Sequence, residues 1–240
     1  VRIPVVKEHG SWVVFILSAI IAIIAGIETS KDPIPYYKLS LTISGLALLI
    51  NSKKPLASAL RGTMERTSNI YWFLIFSISG LLMLVPFLID GIMVFSIFIP
   101  LIALYTVLLY MGKEHSLISE LTGFSLLCIT APAVYFVLTG ELSLRLYLMV
   151  LLFFAAGIFK VRLRMRKRPL DRIVMILYCL GVFMIFRYLD LSTIILIPLS
   201  ENTITALWIR EEGLKTTGQI ELFKGVVFVL LFLFYGRPHL

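Results

Sequence analysis

The stretch from Ile70 to Tyr110, IYWFLIFSISGLLMLVPFLIDGIMVFSIFIPLIALYTVLLY, carries a single charge, Asp90. A helix crosses the hydrocarbon core with about 20 mostly apolar residues. This stretch is twice that length, so it holds two spans. Asp90-Gly91 stands between the halves, and such a pair between long apolar runs predicts a tight reversal. The runs are too long and too little alternating for membrane strands.

Working outward, the same reading gives nine spans, at 11–27, 37–51, 70–89, 91–111, 117–139, 143–159, 173–187, 191–208 and 219–236. The eighth is the weakest, because Pro198, Glu201 and Asn202 interrupt it; it reads as a kinked span or a shorter re-entrant piece. Composition agrees. The chain is 59% hydrophobic and 15% charged, with a mean hydropathy of +0.97. Soluble domains carry about 25% charged residues. A soluble enzyme, a disordered chain and a nucleic-acid-binding module are excluded. The apolar run after the charged N-terminus has the outline of a signal peptide, but the further runs favour a retained helix.

The net charge of +8 reads first as orientation. With nine spans and an inner N-terminus, 17 of the 22 Lys and Arg residues fall inside and 5 outside. That asymmetry predicts a multi-pass protein of the cell (inner) membrane, with the N-terminus cytoplasmic and the C-terminus outside. Cys128 and Cys179 sit in apolar runs without metal-type spacing, and read as buried thiols.

Two short elements recur. Lys7-Glu8-His9 precedes the first span and Lys113-Glu114-His115 the fifth. Lys53-Lys54-Pro55-Leu56 follows the second and Lys167-Arg168-Pro169-Leu170 the sixth. The expected organisation is one transmembrane domain over 1–240. Its pseudo-repeats cover about 1–112 and 113–212, with an extra helix at 219–236.

The candidate chemistry gathers on the inner side. Glu8, His9, Glu114, His115 and Glu120 can serve as acid and base near neutral pH, and form the catalytic set. Equally, they can be helix starts, with carboxylates near the positive dipole end. Lys53, Lys54, Arg162, Arg164 and Arg168 form the substrate-binding set, since guanidinium clamps phosphate bidentately; topology and attraction to anionic lipid headgroups is the plainer role. Glu201 joins the set as an intramembrane carboxylate without a local partner. Glu221 and Lys224, three apart, are expected to pair along one helix face. No metal-ligand spacing, phosphate loop, dinucleotide fingerprint or nucleophile elbow is present.

Some of these residues also carry a family resemblance. Lys7-Glu8-His9-Gly10-Ser11-Trp12 resembles the Glu-His-Gly-Ala-Trp opening of the YwiC-like membrane proteins, with Ser11 in place of Ala. Val161-Arg162-Leu163-Arg164 is similar to their Val-Arg-x-Arg element. Gly218-Gln219-Ile220-Glu221 is similar to their Gly-Ile-x-Glu segment, with an extra Gln. That family implies no assigned activity. A looser likeness is to intramembrane prenyltransferases of the UbiA type. It implies an all-α polytopic bundle of nine helices in two four-helix halves plus one, with an inner-side site. The corresponding loops begin Asn51-Ser52-Lys53-Lys54 and Lys160-Val161-Arg162, and the Mg²⁺-holding aspartates of that type are missing.

The expected function is therefore binding or modification of an amphiphilic anion, an isoprenoid or lipid phosphate, at a cytoplasm-facing pocket. The alternatives are a transporter for a small anion or metabolite and a non-catalytic membrane assembly partner. The expected partners are membrane lipids and no nucleic acid. Cofactor, catalysis and oligomeric state are not legible in the sequence.

Overall fold

The structure, a computed structural model, describes residues 9–30, 33–61, 66–166, 168–208 and 213–236. Among them the backbone forms ten α-helices and two 3-10 segments. Helices follow from the solvent: in hydrocarbon every backbone N–H and C=O must be satisfied within the segment. Hydroxyl groups obey the same constraint. Thr29, Thr106, Thr122, Ser125 and Thr139 each donate to the carbonyl four residues back.

Six helical runs are long and apolar enough to cross a membrane. They are α1 (His9–Thr29), the joined run of α3 (Arg66–Phe95) and α4 (Ile99–Tyr110), the joined run of α5 (Leu117–Cys128) and α6 (Thr130–Thr139), α7 (Leu144–Arg166), α8 (Pro169–Tyr188) and α10 (Leu214–Tyr235). This is the architecture of a polytopic membrane protein. The helices do not by themselves give nine spans. α2 (Tyr36–Leu60) is more polar, with Lys53, Lys54 and Pro55 inside it. The expected eighth span is broken, a 3-10 segment at Thr193–Leu199 followed by the short α9 (Ser200–Leu207).

The expected reversal at Asp90-Gly91 is corrected. α3 stays helical to Phe95, and a 3-10 segment, Ser96–Phe98, follows. Gly91 fits there because the Phe136 ring occupies the place of its side chain, 3.1 Å from an added Cβ. Phe87 and Phe95 meet that ring edge-on at 5.8 and 5.5 Å. Two ion pairs mark where the run goes. Lys38 holds Asp90 at 2.8 Å, and Arg61 holds Glu114. These partners lie at opposite ends of α2, roughly 35 Å apart at 1.5 Å per residue. The chain from Asp90 to Glu114 therefore returns to the Arg61 end.

α2 and α3 pack through glycines. A Cβ on Gly45 would stand 2.8 Å from the Gly80 carbonyl, and one on Gly80 2.9 Å from the Gly45 carbonyl. Such contact lets backbones approach and gain dispersion energy where lipid offers no hydrophobic drive. The main core joins α1, α5, α6, α7, α8, α10 and the 3-10 segment at Thr193–Leu199, around Ile21, Leu146, Met149, Phe186 and Phe228. The repeated elements sit differently: Pro55 is inside α2, whereas Pro169 opens α8.

Candidate functional site

α7 and α10 each present one face to the other. Phe153, Gly157, Lys160 and Arg164 recur at i+4, i+3 and i+4, and so share a face of α7. Thr217, Glu221, Lys224 and Phe228 do the same on α10. The faces meet in register. Phe153 and Phe228 stack at 3.8 Å. Two turns nearer the Arg61 end, Lys160 lies 3.1 Å from Glu221, and Glu221 packs over Gly157.

α9 closes a third side. Its Glu201 takes Lys160 at 2.5 Å and Lys224 at 3.2 Å through Oε2, and a hydrogen bond from Thr205 at 2.7 Å through Oε1. Lys224 also binds Glu221 at 2.5 Å and donates to the side-chain Oδ1 of Asn202. The broken helix is what permits this, since it carries Glu201, Asn202 and Thr205 to membrane depth on a covered face.

The cluster holds two ammoniums and two carboxylates, so its net charge is zero. Lys160 is fully buried and Lys224 nearly so. Burying an unpaired ion costs several kcal/mol, and only close pairing offsets it. The sequence-based picture of Glu201 as lacking a local partner is corrected here: Thr205 on its own helix donates to it, and two lysines from α7 and α10 reach it. Lys160 and Lys224 are likewise not loop charges. Without them the 17 basic residues expected inside by the nine-span reading fall to 15. The expected Glu221–Lys224 pair is present.

The other candidates stand at the Arg61 end. Glu120, in the first turn of α5, takes Arg162 at 2.8 Å, and the same guanidinium donates to the His115 carbonyl at 3.0 Å. Ser116 caps this helix through the Ser119 N–H, fixing Glu120 toward α7. Glu114 pairs with Arg61, and His115 Nε2 lies 3.9 Å from it, with the imidazole 91% exposed. Glu114, His115, Glu120 and Arg162 thus come together, His115 through its backbone. His9 is exposed at the start of α1, Arg168 is exposed before α8, and Lys53, Lys54 and Arg164 are half-buried. Glu8 lies outside the described residues.

The YwiC-like protein model matches residues 5–135. The chain belongs to the YwiC-like family. No curated protein and no solved structure matches it. The matched region of this YwiC-like chain contains the Glu8-His9 element, Glu114 and Glu120. The four-charge cluster and the Arg162-Arg164 and Glu221 elements lie past it. Sequence reasoning left Lys160, Lys224, Glu221, Asn202 and Gly157 out of the site. Their signal is the spacing itself, which sets each charge on the same helix face as Phe153 or Phe228.

Proposed function

We propose that this YwiC-like protein binds an amphiphilic anion, an isoprenoid or lipid phosphate, from the side bearing Arg61, Arg162 and Arg164. The observation that carries the reading is the one-ended polar column between α7 and α10. Arg164 and Thr217 stand at its mouth and the four-charge cluster lies below them. Buried Phe153, Phe154, Phe228 and Phe232 form the floor. A headgroup held at the mouth by Arg162 and Arg164, with Lys53, Lys54 and Arg168 as the further cations of the proposed set, leaves its tail in apolar surroundings. Each buried methylene adds about 0.8 kcal/mol. Glu114, His115 and Glu120, with Glu8 and His9, are the groups that would move a proton. A transporter needs a polar path through the far half, where this column meets packed aromatic rings.

The nine-span topology, a cytoplasmic N-terminus in the cell membrane and a UbiA-like pair of halves belong to the same reading. Support comes from the return of the chain to the Arg61 end and from the basic residues that remain there. Reporter fusions after Arg66 and Arg172 should both report cytoplasmic, and an external signal at either refutes the topology. For the site, Arg164→Ala should weaken binding of farnesyl diphosphate by about 1.5–3 kcal/mol, the range of a hydrogen bond to a charged group. Unchanged binding by a folded variant refutes it.

A further inference from the structure

Glu221 engages the cluster through one oxygen. Its closest ammonium contacts, Lys160 at 3.1 Å and Lys224 at 2.5 Å, both fall on Oε1. Oε2 accepts no hydrogen bond among the described residues. It lies over Gly157, 3.2 Å from the place of a Cβ. The Glu221 side chain is 27% exposed while Lys160 behind it is 0% exposed. The approach to the cluster thus passes over a glycine and meets a carboxylate oxygen, with the lysines sealed behind.

A carboxylate oxygen open to hydrocarbon is costly, so something polar covers it. The cluster's neutrality decides what. A cationic head would leave a net charge in a low-dielectric site, and an anionic head would face the Oε2 lone pairs. A neutral O–H donates to Oε2 and adds no charge. The flanking side chains narrow the choice further. Val161, one turn from Gly157, and Leu222, next to Glu221, are exposed and apolar, so the donor arrives on an apolar body.

We propose that Glu221 Oε2, where it rests on Gly157, accepts the hydroxyl of a neutral lipid alcohol. This deepens the amphiphile reading above and rests on it. Arg164, one turn beyond Lys160, stands about 6 Å nearer the mouth. The hydroxyl site therefore lies directly below the anionic headgroup site, and the second lipid ligand is an alcohol.

The test uses the full chain in lipid nanodiscs, with farnesol, farnesyl methyl ether and farnesyl diphosphate as probes. The ether keeps the tail and oxygen but has no O–H to donate. The parent should bind farnesol at least tenfold more tightly than the ether. Gly157→Val, which crowds Glu221 Oε2 without removing a charge, should lose farnesol at least tenfold. Gly157→Ala, a milder change that favours the helix, should weaken farnesol about threefold. Equal binding of farnesol and ether by the parent overturns the proposal, and that comparison needs no variant to fold. So does farnesol binding that Gly157→Val leaves intact. Diphosphate binding without a farnesol preference defeats this inference and leaves the amphiphile reading standing. Binding of none of the three defeats both.

Discussion

Replacing Lys160 with methionine keeps the length and apolar stem of the side chain and removes its ammonium. Lys160 is completely buried, and its Nζ holds Glu201 at 2.5 Å and Glu221 at 3.1 Å. Lys160→Met would leave two carboxylates facing Lys224 alone, a net negative charge in the core. Breaking a buried pair by removing one partner costs about 3–5 kcal/mol. For a chain of this size each kcal/mol moves the melting temperature by about 2–4 °C. The expected fall is therefore roughly 6–20 °C, read from thermal unfolding in one detergent at fixed lipid content. Adding Glu201→Gln restores neutrality and keeps an acceptor for Thr205. The double variant should recover at least half the loss, a coupling that exposed pairs do not show. A single variant melting within about 2 °C of the parent, or a double variant at the sum of both losses, refutes the linked neutral cluster.

Further outcomes follow from other contacts. Gly80→Val should separate α2 from α3 and cost about 1–3 kcal/mol, because even a Cβ there would press on the Gly45 carbonyl at 2.9 Å; an unchanged melting temperature contradicts the close crossing. Arg162→Ala removes the contacts to Glu120 and the His115 carbonyl. Since Glu120 is partly exposed, the loss should stay near 1 kcal/mol and shrink with added salt, measured by melting at two ionic strengths. Gly140 ends α6 in the left-handed region at φ 76°. Gly140→Val should cost about 1 kcal/mol or more through strain at that cap, read from the same melts.

Much of the fold is legible in the apolar runs, because hydropathy and segment length are the properties a bilayer selects. The weak eighth span was legible too: Pro198 and Glu201 announce a break, and the structure supplies a 3-10 segment and a short helix there. Asp90-Gly91 misleads, since the helix continues where Phe136 packs against the glycine and the chain bends later. Glu201 misleads more instructively. Its partners stand 41 residues before it, at Lys160, and 23 after it, at Lys224, and join it only when α7, α9 and α10 pack. Local spacing reveals the Glu221–Lys224 pair and cannot reveal that. The Arg162–Glu120 contact is likewise a product of packing, between α5 and α7.

The central claim, that this YwiC-like protein holds a phosphate-bearing amphiphile at the mouth of the α7–α10 column, is tested most directly by mass spectrometry of lipid extracts. Parent protein and Arg164→Ala would be purified side by side in the same detergent and compared with the bulk membrane extract. An isoprenoid or lipid phosphate should be enriched on the parent and depleted at least tenfold on a folded Arg164→Ala. Extracts from both that match the bulk membrane lipids would contradict it.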